Sequence, residues 1–395
     1  MKILHIEDRF HPEMGYQLNF FSKYHNPEDE IIILSSSSFS LWEGSDARDI
    51  MDKRDHEFEK KYNVKIVRLP AYLDRKGKYN IWLKGLINKI IEINPDIVYT
   101  HAIETYTSIR VIFSGRIRRK FAIVSDTHSL LNQFSSNTRF KLAFWLYRMI
   151  IISLVNKHKI KVFYTTEENR IILLEHYNIN SGLIESALIG TDSSVYYYDE
   201  KARQEVRSEL DIKADDFVLL YTGKFSYTKQ PHLILDAVQK IKEKINRKLW
   251  LVFLGAADQK YMSEHFRKLI NTEYISTLIL PAVRNTELYK YYSMADLAVF
   301  PQENTLSALD VQACRLPVIM EDDFTNRERL SAGGRLFEKG NTSDLGLQIL
   351  YLVENPAELK SLASAGQKFV LENYDYKAII GKMEAVLSTA FKMHT

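Results

Sequence analysis

The segment 221–241, YTGKFSYTKQPHLILDAVQKI, sets Lys224 and Lys229 between an apolar run ending at Gly223 and a helix-period run that starts near Pro231-His232. Cations at a strand end and just ahead of a helix suit phosphate groups, because the unpaired N–H groups and dipole of the helix add to their charge. Solvated loop lysines are the plainer reading. No Gly-Lys-Ser/Thr follows a four-residue spacer, so this is not a P-loop. A second polar patch lies in 300–320, FPQENTLSALDVQACRLPVIM. There Thr305, Leu306 and Ser307 offer hydroxyls and backbone amides at the start of a helix-like stretch, flanked by Gln302 and Asp310. Ser307 by itself also suits a simple N-cap. Two histidines follow strand-like runs, His101 after DIVYT and His128 after FAIVSDT. Each can move a proton or hold a substrate hydroxyl, or merely bond to loop backbone. Gly15, in EDRFHPEMGYQLNFF (7–21), either lets a diphosphate approach the backbone or makes a helix-entry turn. No Cys/His cluster, His-Glu-x-x-His or Asp-x-Asp occurs, so the chemistry expected is metal-independent.

Side chains of this kind need strands to carry them. β-Branched runs at 2–6, 30–35, 64–69, 96–101, 121–126 and 161–166 alternate with amphipathic stretches such as YNIWLKGLINKIIEI (79–93). That alternation predicts βαβ units in a parallel, doubly wound sheet. The pattern breaks over 190–214, which reads as a linker plus a lead-in helix. A second series follows, with runs at 217–223, 249–255, 276–283, 296–302 and 316–322. The expected organisation is a domain over 1–195, another over 196–375, and a closing helix over 376–395. Ligands of such sheets sit beyond the carboxyl ends of the strands, which is where the polar residues above fall.

A chain of 395 residues suits two domains rather than one core. With 46% hydrophobic and 26% charged residues it has a globular composition. A net charge of +3 gives no argument for nucleic acid as partner. The single cysteine, Cys314, forms no intrachain disulfide, fits a reducing cytoplasm and reads as a buried thiol. The opening MKILHI is too short an apolar run for a signal peptide. AFWLYRMIIISLV (143–155) is too short to span a bilayer.

Taken together, these segments resemble the family 4 glycosyltransferases, retaining enzymes of the GT-B fold. YTGKFSYTKQPHLILDAV is similar to the family's strand–Gly-Arg/Lys–loop–Lys-Gly–helix element, and LVFLGAAD to its next strand. LILPAVRNTELYKYYSMADLAVFPQ, DVQACRLPVI and GRLFEKGNTSDL resemble successive motifs of its C-terminal domain, and VLENYDYKAIIGKMEAVL its closing helix. The N-terminal half matches more loosely, through HPEMGYQLNFF, VSDTHSL and ALIGTDSSVYYY.

The resemblance implies two Rossmann-like domains facing a cleft, with the closing helix crossing back to the N-terminal domain. It also implies a nucleotide-sugar donor, a UDP- or GDP-sugar, and no other cofactor. Lys224 and Lys229 would neutralise the diphosphate. The amides of Leu306 and Ser307, beside Thr305 and Gly223, would complete the cradle with Gly15. Val283 and Arg284 sit where the family holds the base, and His128 matches its cleft histidine. Where the family carries two glutamates with seven residues between them, this chain has Gln302 and Asp310. Asp310 retains a carboxylate for the ribose. Gln302 retains hydrogen bonding to the sugar, and Glu303 takes that role if the register shifts by one. Arg315 and Met14 stand where the family has glycines.

The acceptor implied is a sugar or a lipid-linked glycan in cell-surface polysaccharide or glycolipid synthesis, with His101 as a further contact. RFKLAFWLYRMIIISLVNKHKIKVF (139–163) and GRIRRK (115–120) combine aromatic and basic residues. They read either as a core helix with solvated charged ends or as a surface docked on anionic lipid at the inner face of the cytoplasmic membrane. A catalytically inactive relative that only binds ligands is the competing functional class.

Overall fold

The computed structural model describes residues 1–13, 17–38, 47–72, 81–129, 138–302 and 305–394. The chain divides into two compact α/β units, Met1–Ile189 with Tyr376–Thr395, and Gly190–Asp375.

The first unit contains β1 (Lys2–Ile6), β2 (Glu30–Ser36), β3 (Val64–Leu69), a short hairpin of β4 (Ala71–Tyr72) and β5 (Trp82–Leu83), β6 (Ile97–Thr100), β7 (Ala122–Thr127), β8 (Lys161–Tyr164) and β9 (Ile184–Ser186). Its main sheet runs β3-β2-β1-β6-β7-β8-β9, all parallel. Helices cover both faces of such a sheet, so its strands are apolar on both sides. Leu4, Ile6, Ile32 and Val98 feed one core, and Ile3, Ile31, Ile33 and Tyr99 feed the other. The second core is closed by the C-terminal helix, Tyr376–His394. Its Ile379, Ile380, Met383 and Leu387 are buried there, and the Tyr376 ring stacks on Phe20 at 3.8 Å.

The second unit has β10 (Phe217–Thr222), β11 (Leu249–Leu254), β12 (Ile275–Leu280), β13 (Leu297–Phe300), β14 (Val318–Glu321) and β15 (Gly334–Phe337), in the parallel order β12-β11-β10-β13-β14-β15. The lead-in helix Glu200–Glu209 starts at Asp199, whose side chain accepts from the Ala202 N–H. Two of its arginines reach one carboxylate. Arg203 and Arg207 bond the two oxygens of Asp296 at 2.7 and 2.8 Å, and Asp296 also accepts the Val218 N–H at 2.8 Å. Arg207 is buried, and its remaining N–H groups donate to the carbonyls of Met294, Lys213, Ala214 and Asp216. This bidentate, desolvated cluster fastens the helix to the start of β13.

Several expectations need correction. The helix expected over 79–93 starts only at Leu86. Gly85 is left-handed (φ 72°), and Trp82–Leu83 pairs as a strand instead. The strand expected over 276–283 stops at Leu280, because Pro281 has no N–H for the ladder. β9 and β15 escaped the pattern, being three and four residues long. The first unit ends at Ile189, earlier than the expected 195, because Thr191 bonds Asp310 and Tyr196 packs on the second core.

Candidate functional site

In the second sheet the strand order reverses between β10 and β13, a place where open α/β sheets leave a crevice beyond their carboxyl ends. A cavity of about 250 Å³ lies there. Of the residues singled out in the sequence, Gly223, Lys224, Val283 and Ser307 line it. They come from the ends of β10 and β12 and the start of helix Ser307–Ala313, so distant segments converge through strand order alone.

Its floor depends on two glycines. Gly223 has φ 149°, and a Cβ on it would lie 2.8 Å from the Tyr221 hydroxyl. That hydroxyl in turn donates to the Lys224 carbonyl at 2.8 Å. At Gly255 a Cβ would lie 1.8 Å from the Gly223 carbonyl oxygen. Two backbones thus pass too closely for any side chain. Gly255→Ala is expected to push the 223–224 backbone aside, costing about 1–3 kcal/mol of stability and weakening nucleotide binding. Thermal melts with and without UDP check both; a variant that melts and binds like the parent would show that the floor yields freely.

Sequence reasoning missed Gly255, Asn285 and Tyr292 among the lining residues. Gly255 carries a signal that was passed over: like Gly223, it ends a strand-like run. Tyr292, inside a tyrosine-rich helix, carries none. Its ring is buried and its hydroxyl lies 3.3 Å from Thr222 Oγ1; burial, with the nearby Asp310 carboxyl, raises its pKa well above the ordinary phenol value.

The other expected donor residues take different positions. Lys224 is exposed at the cavity, whereas Lys229 is partly buried in the next turn, where its N–H donates to the Ser226 carbonyl. Lys229 and the exposed Arg284 are not among the lining residues. Ser307 is not the N-cap. That position is Leu306, 42% exposed and without a capping side chain, while Thr305 Oγ1 accepts the Ser307 N–H at 3.2 Å. Asp310 accepts the Thr191 hydroxyl at 2.6 Å. Burial pushes its carboxyl up to about 7, with Asp192 adding to the rise and the Thr191 bond opposing it. Gln302 is partly buried just after β13. Gly15 and Glu303 lie outside the described residues, as does Met14.

In the first unit the expected histidines meet around Asp126, which stands at the end of the FAIVSD run. Asp126, fully buried in β7, accepts the Ala102 N–H at 2.6 Å and His101 Nδ1–H at 2.7 Å, and lies 3.6 Å from His128 Nε2. Burial alone would raise its pKa, but the charges of His101 and His128 and these bonds bring it down to about 2. His101 is raised: burial lowers it, and the Asp126 charge more than restores it. His5, whose Nδ1 is 3.1 Å from His101 Nε2, is held well below its usual value by burial and by His101. That ordering makes His101 the donor to both neighbours. Both ring nitrogens of His101 are engaged, by Asp126 and His5, and only 7% of its surface is exposed.

His128 keeps 44% of its side chain exposed, and its neighbours are pinned on either side. Thr127, Ser129 and Tyr177 all donate to Glu104 Oε1, and Asn169 donates to the Ser129 carbonyl at 2.6 Å. A four-residue stretch therefore presents one exposed histidine on a hydrogen-bonded base. Asp126→Asn is expected to cost about 1–3 kcal/mol at neutral pH, because the charge that holds the His101 proton is lost and the Ala102 N–H and His101 lose a carboxylate acceptor. Because the native pKa is depressed, that stabilisation is present above about 3.8 and is lost as pH falls towards 2. Urea midpoints across this range should slope in the parent and flatten in the variant; parallel curves would remove Asp126 from the account.

Two Rossmann-like parallel units, the second with a crevice at its switch point, make up a GT-B fold. Residues 202–369 match the family described as "Glycosyl transferases group 1". A D-inositol 3-phosphate glycosyltransferase of Streptosporangium roseum is 26% identical over 206 residues, 49% of this chain. The match spans only 46% of that relative's length. Among solved structures, sucrose-phosphate synthase from Thermosynechococcus elongatus shares the fold at TM-score 0.67 and 16% identity, covering 99% of both chains. HepE of Anabaena, solved in complex with UDP, does so at TM-score 0.69 and 15% identity, over 98% of this chain and all of the other. At such identities these likenesses concern the fold.

Proposed function

We propose that this protein is a retaining glycosyltransferase that moves a sugar from a nucleotide-sugar donor to a sugar or lipid-linked glycan acceptor in cell-surface polysaccharide or glycolipid synthesis. The observation that carries this reading is the convergence of Gly223, Lys224, Val283 and Ser307 on one cavity within the family-matched segment. The base lies near Val283, the diphosphate beside Lys224 with Lys229 adding charge, and the ribose towards Asp310. The donor proposed first is a UDP-sugar, in line with the UDP bound by HepE. Lysine charge takes the task of stabilising the leaving diphosphate.

In this reading the acceptor hydroxyl attacks the anomeric carbon as the glycosidic bond to the diphosphate breaks. Its proton passes to the departing diphosphate on the same face, which preserves configuration. His128, on its pinned loop, orients the transferred sugar or the acceptor. Thermal shifts with UDP-, GDP-, ADP- and CMP-sugars, followed by NMR of the product anomer, test this. Stabilisation by one nucleotide class and a retained anomer are expected; an inverted anomer would overturn the mechanism.

One observation favours a second reading, a nucleotide-sugar-binding protein without turnover. The Asp310 carboxyl is engaged by Thr191 and neutral up to about pH 7, and Gln302 brings no charge. Stabilisation by a donor without release of free nucleotide, over a panel of glycan acceptors, would select it.

A further inference from the structure

The stretch that reads equally as core helix or lipid-docking surface has two apolar faces. Helix Thr138–Tyr147 continues through a π-turn, Arg148–Ile152, into Ser153–Lys157. Phe144, Tyr147, Ile151, Ile152 and Val155 point inward to the first unit's core. Leu142, Trp145, Leu146 and Met149 recur at three- and four-residue spacing on the other side and are 44–60% exposed, with Ile150 at 46%. Helix Tyr106–Phe113 packs against this π-turn and brings Phe113, 62% exposed, to the same region. A monomeric soluble surface seldom gathers so many large apolar side chains unless something covers them.

Charge says what that is. Between Phe113 and Lys161 ten Lys and Arg residues stand against a single acid, Asp126, and that acid is fully buried. Arg116, Arg119, Lys120, Lys141, Lys157 and Lys159 are all exposed. This asymmetry is local, since the whole chain carries only +3. A face of protruding Trp, Leu, Ile and Met, with exposed lysines and arginines on the same stretch of chain, is complementary to a layer that is apolar inside and negative at its surface. A second copy would bring the same positive charge against itself and be repelled. Among the described residues no helix is long and apolar enough to cross a membrane, so the mode is seating on the surface.

We propose that this face docks on anionic lipid bilayer surfaces, with Trp145, Leu146 and Met149 entering the headgroup boundary and the exposed lysines and arginines of the stretch meeting lipid phosphates. The inference is independent of the glycosyl-transfer reading, and its test needs no turnover. The full chain is floated with vesicles of phosphatidylcholine alone or enriched in phosphatidylglycerol, at low and high salt, while Trp emission is recorded. Binding to the anionic vesicles, weakened by salt and accompanied by a blue shift, is expected. Trp145→Glu with Met149→Glu should lower the bound fraction about tenfold or more, with the melting temperature and the UDP-induced thermal shift unchanged. Should that variant fail to fold, Lys141→Glu with Lys157→Glu, both of them exposed, should lower binding alike. Equal binding to both vesicle types, no binding to either, or variants that bind like the parent would overturn the proposal. So would light scattering showing a dimer that Trp145→Glu dissolves in a protein that ignores vesicles, which assigns the face to a second copy.

Discussion

Lys224→Ala is expected to lower kcat by about 10²–10³-fold while leaving the melting temperature of the unliganded protein unchanged. The side chain is exposed at the cavity formed by the ends of β10 and β12, so its removal leaves no void in the core and, among the described residues, breaks no side-chain hydrogen bond. Its backbone carbonyl, which accepts the Tyr221 hydroxyl, is kept by alanine. In the proposed mechanism, what is lost is a cation where a diphosphate gains charge as the glycosidic bond breaks. A charge that matters more in the transition state than in the bound donor lowers kcat more than it raises KM. Lys224→Arg, which keeps the charge with different geometry, should recover part of the rate. Turnover by Lys224→Ala at the parent rate would remove the diphosphate from this cavity.

Asp296→Ala is expected to have the largest effect on stability, a loss of about 3–5 kcal/mol. Its carboxylate is shared by Arg203 and Arg207 and accepts the Val218 N–H, so three donors lose their acceptor at once. Arg207 is buried and keeps its carbonyl partners, but among the described residues no other carboxylate is bonded to it. Truncation therefore leaves an uncompensated buried charge, whereas a well-packed apolar replacement of the whole cluster need not be costly. Urea denaturation should show a lowered midpoint; a shift within a few tenths of a kcal/mol would mean that the carbonyls alone satisfy both guanidinium groups. A change in slope would mean that Glu200–Glu209 detaches separately from the second unit.

The strands were legible because a parallel sheet covered on both faces needs continuous apolar runs, and such runs stand out at any position in a chain. Lys2–Ile6, Glu30–Ser36 and Val64–Leu69 were readable almost to the residue for this reason. Boundaries set by one backbone angle were not readable. YNIWLKGLINKIIEI has helical spacing throughout, yet the left-handed Gly85 divides it, and spacing carries no information about φ. β15 was hidden because it begins at a glycine and spans only Gly334–Phe337; its pairing with β14, not its composition, makes it a strand.

The sequence by itself determined the class of architecture, the family-matched segment and the positions at strand ends where ligand chemistry belongs. Those follow from local periodicity and from motif order, both written along the chain. Only the tertiary structure decided which of those positions meet. Strand order set Gly255 against Gly223 across 32 residues of chain, a spacing of backbones that no motif specifies. It turned His101 inward onto Asp126 and left His128 outward, although both follow strands with similar flanks. It also decided that one face of 138–157 packs while the other stands bare, because burial depends on what lies opposite a helix and not on the helix's own residues.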